Sequence, residues 1–293
     1  SFLKEHPYIA VITNIDADHM DYYGTLANVI HAFKEFINRL DPVEGLAVLC
    51  ADDDRVRALL PEVERLYVTY GIEAEADYRA GNIGYEEGKL VFDVFYHEQL
   101  LGPLALNVPG NHNILNALAT VAAARSCGIG FDEIAGALSH FYGAKRRFQT
   151  KGHVRDIWVV DDYAHHPTEI NATLSAARSM GTHRVVCLFQ PHRYTRTQLL
   201  ADEFSRAFVC ADKLILTDIY GAGEEPIPGV DGAFLTEKVK AATGQDVAYV
   251  ATKDGLLNYL RENARPRDLI LTMGAGDIYK VGEAFVAAEG SER

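Results

Sequence analysis

From Trp158 onward the chain repeats one pattern: a short apolar run breaks into a polar or glycine-rich loop, and an amphipathic stretch follows. The runs are WVVDDY (158–163), VVCLFQPH (185–192), KLILTDIY (213–220), VAYV (247–250) and LILTMGAG (269–276). Short runs that are apolar throughout, rather than alternating, suit strands buried on both faces. Strands separated by helices are joined by crossovers, so this part is expected to be an α/β unit with a mostly parallel sheet.

The earlier part is mixed. YIAVITNI (8–15) and LAVLCADDD (46–54) read as buried strands, and NVIHAFKEFINRL (28–40) as an amphipathic helix stopped by Asp41, Pro42 and Gly45. KLVFDVFYH (89–97) and PLALNV (103–108) read as further strands. NHNILNALATVAAARSCG (111–128) reads as a helix closed by Gly128 in the left-handed region, and FDEIAGALSHF (131–141) as a second helix. The basic, glycine-flanked YGAKRRFQTKG (142–152) reads as a connector, which sets domains at 1–147 and 148–293. A length of 293 residues agrees with two domains.

The densest chemistry lies at two strand ends, DDYAHHPTE (161–169) and FQPHRYTRT (189–197). In an open α/β sheet such loops lie side by side at the carboxyl edge, where ligands bind. His165, His166, His192, Arg193 and Arg196 are therefore expected to converge. Pro167-Thr168-Glu169 reads as a helix start, and TRTQLLADEFSRAF (195–208) as one continuous amphipathic helix. A His-His pair at one strand end is also what a hydrogen-bonded surface loop looks like. Arg193 and Arg196, however, fall in a first helical turn, where positive charge opposes the helix dipole and an anionic partner offsets it.

A net charge of −13 argues against a nucleic-acid or anionic-membrane surface, so an anion site must rest on these local basic residues. No apolar run approaches the ~20 residues that span a bilayer. The four cysteines form no CxxC pair and sit mostly in apolar contexts, which suggests buried thiols in a reducing cytoplasm. GAGDIYKVG (274–282) lacks the third glycine of a dinucleotide fingerprint, Tyr279 standing there, and reads as a tight strand-to-helix turn; EEPIPGVDG (224–232) reads as an ordinary loop.

Four motifs fall in one order: NIDADHMD (14–21), GNHNILNALA (110–119), RRF (146–148) and the pair of His loops. That order resembles the Mur ligases, ATP-dependent amino-acid ligases of peptidoglycan synthesis, over nearly the whole chain. The two His loops are similar to those of the branch that joins L-alanine to UDP-N-acetylmuramate; a ligase that recycles murein tripeptide is the nearest alternative. The resemblance implies the latter part of a central ATPase domain followed by a Rossmann-like C-terminal domain, with ATP and Mg²⁺ as cofactors. It implies His19 as a metal-site histidine beside Asp18 and Asp21; His112, Asn113 and Asn116 at adenine; Arg147 at the nucleotide phosphates; and Asp162 near the ribose. Tyr163, His165, His192, Arg193 and Arg196 would line the alanine and acyl pocket, and His166 is assigned no role.

Read without the family, DADH caps the next helix, and Asn113 caps its own. The chain opens with Ser1 rather than Met and contains no G-x-x-G-K-[ST], so it is expected to be part of a longer protein, inactive alone and prone to associate or dimerise through an incomplete first domain. Two other classes remain open: a Zn²⁺ or Mn²⁺ hydrolase built on Asp162, His165, His166 and His192, and a non-catalytic nucleotide or muropeptide binder.

Overall fold

A computed structural model of the chain describes residues 2–181 and 184–290, the Asp21 side chain excepted. The chain divides into two compact units, Ser1–Tyr142 and Gly143–Arg293. The division lies ahead of the 147/148 boundary expected from sequence, and Arg146 and Arg147 fall in the second unit.

The first unit runs β1 (Ile9–Ile12), α1 (Met20–Tyr23), α2 (Leu26–Asn38), β2 (Leu46–Cys50), α3 (Asp54–Leu59), β3 (Leu66–Gly71), β4 (Tyr78–Glu86), β5 (Lys89–Tyr96), β6 (Gln99–Leu106), α4 (Asn111–Ser126) and α5 (Phe131–Ser139). One sheet holds all six strands in chain order, β1 to β4 parallel and β4-β5-β6 an antiparallel meander. β2 is apolar throughout because alternate residues serve two cores. Ala47 and Leu49 pack with Val29 and Ile37 of α2, whereas Val48 and Cys50 pack with Ile114, Leu118 and Val121 of α4. Thr25 Oγ1 accepts from Asn28 N to start α2, and Gly128 at φ 83° follows α4 as expected.

The second unit runs β7 (Gln149–Val154), β8 (Ile157–Asp162), α6 (Pro167–Ser179), β9 (Arg184–Phe189), α7 (Tyr194–Leu199), α8 (Ala201–Phe204), β10 (Lys213–Leu216), α9 (Gly232–Thr243), β11 (Val247–Tyr249), α10 (Lys253–Asn263), β12 (Asp268–Met273) and α11 (Tyr279–Gly290). The sheet order is β11-β10-β9-β12-β8-β7, parallel except for the β7-β8 pair. β12 again feeds two cores: Leu269, Leu271 and Met273 face Leu174, Phe204 and Leu235, while Ile270 joins Leu256, Val281 and Phe285. Each fully buried Leu or Ile contributes about 1.5–3 kcal/mol relative to exposure.

Three local expectations are corrected. The segment read as a connector runs into β7, an edge strand hairpinned to β8 through Arg155 and Asp156, both at positive φ. The helix expected over 195–208 breaks at Leu200 (φ −106°, ψ 22°), and beyond the break Phe204 and Phe208 pack on Phe189 with ring centroids 5.8 and 5.1 Å away. Not all the thiols are buried either: Cys50 and Cys187 are, Cys210 is partly covered, and Cys127 is exposed at the end of α4. No helix among the described residues is long and apolar enough to cross a membrane.

Candidate functional site

In the second unit β8, β12 and β9 are neighbours, and their carboxyl ends are tied level. Gly274 N donates to Asp162 O at 3.1 Å and Gln190 N to Met273 O at 3.0 Å. The loops that follow therefore emerge together, as the sequence suggested. In the β8 loop, Asp161 is fully buried; it accepts from Arg146 Nε (2.9 Å) through one oxygen and Thr272 Oγ1 (2.9 Å) through the other. Arg146 also donates to the carbonyls of Gly274 (2.7 Å) and Gly276 (3.0 Å) and lies over the rings of Tyr163 and Tyr279. Its Nε and both terminal nitrogens are used within the fold, whereas Arg147 is half exposed and pairs with Glu169 Oε1 at 3.1 Å.

Asp162 is buried and accepts from Ala164 N (2.8 Å) and Phe148 N (2.9 Å). Burial pushes its carboxyl above the usual range, against the lowering effect of those two bonds. In this unit it ties the 143–148 segment to the end of β8. Pro167 stands at the first position of α6, His166 is its N-cap with Nδ1 accepting from Thr168 N, and Glu169 Oε2 accepts from His165 N (3.0 Å) and His166 N (3.3 Å). His166 thus packs and caps. His165 makes a contact of 3.0 Å from Nδ1 to Tyr163 O, with Tyr163 itself edge-on to the His165 ring.

The β9 loop brings His192 to 5.7 Å from His165, ring centroid to centroid. His192 stacks on Tyr220, and the backbone holds both, with Arg193 N donating to Tyr220 O and Tyr220 N to Pro191 O. The His192 Nδ1 atom is buried without a hydrogen-bond partner among the described residues. Burial, with positive charge from His165, Arg196 and Arg193, lowers its pKa from 6.5 to about 4. Arg193 caps α7 at φ 68°, and its guanidinium lies 3.8 Å from Glu224, which also accepts from Thr195 N and Oγ1. Arg196 is partly covered one turn along. The expected members of this cluster, Tyr163, His165, His192, Arg193 and Arg196, thus sit on two adjoining loops with a neutral imidazole among cations, which suits an anion carrying a nearby amine.

In the first unit, β1 leads into the loop that carries His19. His19 stands at φ 54° as the N-cap of α1, its side chain largely exposed and making no cap bond, with Nε2 3.8 Å from Asp18 Oδ2. The loop is braced by Arg55, which donates to Ile15 O (2.8 Å) and Asp16 (3.3 Å). Asp21's side chain lies outside the described part. At α4, Asn113 is not the cap, which is Gly110 at φ 98°. Asn113 Nδ2 donates to Pro109 O (2.7 Å) and Asn116 Nδ2 to Asn113 Oδ1 (3.4 Å), while His112 Nε2 lies 3.1 Å from Asn113. The three form one polar edge on the first turn.

Residues 2–124 match the Mur ligase middle domain and residues 146–276 the Mur ligase, glutamate ligase domain. The chain belongs to the Mur ligase family. A UDP-N-acetylmuramate–L-alanine ligase of Syntrophotalea carbinolica is 50% identical over 285 residues, covering 97% of this chain and 62% of the relative. The crystal structure of the UDP-N-acetylmuramate–alanine ligase MurC of Thermotoga maritima superposes with a TM-score of 0.79 at 28% identity, over 99% of this chain and 61% of that one. The MurF ligase of the same organism, solved in complex with ADP, shares the fold at a TM-score of 0.78, with 18% identity and coverage of 98% and 63%. The chain spans 62% of the curated relative's length.

Within this Mur ligase chain, sequence reasoning passed over three residues that organise the loops: Arg146, Glu169 and Glu224. Arg146 was visible only as a neighbour of Arg147, and Glu169 only as a helix-start residue. Glu224 lies in a loop with no distinguishing signal. Among the described residues no group of three or more His, Cys, Asp or Glu is placed to hold a metal ion. His165 and His192 face each other while His166 turns to α6, which gives the hydrolase reading no ligand set. A lone exposed histidine beside a carboxylate fits Mg²⁺ differently, because that ion keeps waters and takes few protein ligands when phosphates supply the rest.

Proposed function

We propose that these residues serve an ATP-dependent ligase that joins L-alanine to the muramic acid carboxylate of UDP-N-acetylmuramate, in the cytoplasm where ATP is available. A carboxylate is a poor electrophile. Its oxygen would attack the γ-phosphorus as the bond to ADP breaks; the alanine nitrogen would then attack the acyl carbon, expelling phosphate and losing a proton. His112, Asn113 and Asn116 would contact adenine, Asp162 would lie near the ribose, and Arg147 would meet the phosphates. His19 would hold Mg²⁺, which screens phosphate charge when bound.

Arg193 and Arg196 would grip the alanine carboxylate, and the uncharged His192 beside His165 and Tyr163 would leave the amine unopposed by a further cation. The observation that supports this most is the two-loop cluster, His165 facing His192 with both arginines, in a chain 50% identical to a named L-alanine ligase.

The test is ligation by a protein of the relatives' full length that carries these residues, with L-alanine, L-serine, glycine and murein tripeptide offered in parallel. L-alanine is expected to be preferred, and Arg193→Ala or Arg196→Ala to raise the alanine KM more than they slow acyl phosphate formation. Preference for murein tripeptide would overturn the reading. The 293 residues alone contain no G-x-x-G-K-[ST] and should give no turnover. The β1 edge, with exposed Val11 on the strand and Tyr8 just ahead of it, supports self-association; a monomer at every concentration in light scattering would remove that part.

A further inference from the structure

Glu169 has more to do than start a helix. Its Oε2 accepts from His165 N (3.0 Å) and His166 N (3.3 Å) and lies 3.4 Å from His165 Nδ1, while Oε1 takes Arg147 Nη1 at 3.1 Å. One carboxylate therefore touches the guanidinium assigned to phosphate and the imidazole assigned to the amino-acid end. We propose that Glu169 is a positioning residue that couples Arg147 to His165, so that an anion drawing Arg147 away hands the full carboxylate charge to the imidazole. The inference rests on the proposed function for what each end binds, but the coupling itself does not depend on it.

The sign follows from charge sharing. While Arg147 is paired, part of the Glu169 charge is neutralised. With Arg147 removed or turned to a phosphate, the same charge favours protonated His165, and its titration moves to higher pH. Other groups lie nearby: Tyr163 is edge-on to His165 and His192 faces it from the β9 loop, where Arg193 and Arg196 bear on His192, while Arg146 lies over the Tyr163 ring. Tyr163 also touches both, with Arg147 over its ring at 5.8 Å and that ring 5.3 Å from the imidazole, but it offers no carboxylate for the two to share, as Glu169 does.

The experiment is a histidine NMR titration of the 293-residue chain and its variants Arg147→Gln, Glu169→Gln and the pair together. Glu169→Gln keeps an oxygen for the backbone N–H groups while removing the charge, and His165 should then titrate at lower pH. Arg147→Gln alone should raise the His165 midpoint, and clearly less so in the Glu169→Gln background. Equal effects of Arg147→Gln in both backgrounds would mean that the two act only through space, and would overturn the coupling. If Glu169→Gln unfolds the unit, Arg147→Gln by itself decides, because an unmoved His165 midpoint overturns the proposal. Inorganic pyrophosphate separates this from the functional reading: failure to perturb Arg147 counts against the phosphate assignment, and perturbation of Arg147 with His165 unmoved counts against the coupling.

Discussion

His192 gives a pH dependence whose sign is opposite to that of a salt-bridged histidine. Its pKa falls from 6.5 to about 4 in the folded chain, through burial first and then the charges of His165, Arg196 and Arg193. Below pH 6.5 the unfolded chain therefore takes up a proton that the folded chain refuses. Stability must fall as pH drops from 6.5 to about 4, with no further loss from this group beyond that. Each pH unit of difference is worth ~1.4 kcal/mol, which sets a ceiling of about 3 kcal/mol. The imidazole is only partly covered, so solvent screening reduces this to roughly 1–2 kcal/mol. The perturbation is His192→Phe, which keeps a ring against Tyr220 and removes the titration. Urea unfolding of both proteins across this pH range, at constant ionic strength, isolates the effect from all other titrating groups. The original chain should lose roughly 1–2 kcal/mol more than the variant on acidification. Parallel curves would refute the reasoning. An anion seated beside the imidazole favours its protonated form, so sulfate should narrow the gap between the two.

Arg146 and Arg147 should separate cleanly. Removing Arg146 strands the buried Asp161 and should cost about 3–5 kcal/mol in denaturant unfolding, whereas Arg147→Ala should cost at most about 1 kcal/mol and show its effect in nucleotide binding. Gly276→Ala should destabilise by about 1–3 kcal/mol, since a Cβ there would sit 2.4 Å from Gln190 Oε1 and 2.8 Å from Tyr220 Cγ; an unchanged melting curve would contradict that packing. A chain beginning at Gly143 should fold cooperatively, while one beginning at Lys151 loses Arg146, the Phe148 N–H that binds Asp162, and the start of β7. Equal stability of the two by calorimetry would show that this segment is dispensable.

The inner parallel strands of the second unit were legible because they are buried on both faces and so read as unbroken apolar runs. β7 was not, because an edge strand with one solvated side carries little pattern, and its turn is built from Arg155 and Asp156 rather than glycine or asparagine. The break at Leu200 escaped notice for another reason: helical periodicity continues through it, and only packing of Phe204 and Phe208 on Phe189 reveals the change of direction. The histidines and arginines that converge at the candidate site were legible as dense, unusual motifs. The groups that hold them in place were harder to see: Arg146 and Glu224 meet partners distant in sequence, and Glu169 gains its second role only through Arg147.

The position of β12 bears on how the protein is made. Residues 268–273 lie between β8 and β9, so those two strands have no common neighbour until the last strand of the unit has left the ribosome. Until then β8 and β9 each present an unpaired inner edge, the kind of surface that chaperones cover and that invites mispairing. The carbonyls of Gly274 and Gly276, which receive Arg146, emerge only just after β12. Translation halted before Asp268 would therefore leave the second unit without its central strand and with its carboxyl-edge loops unset, however much of its sequence had already been synthesised.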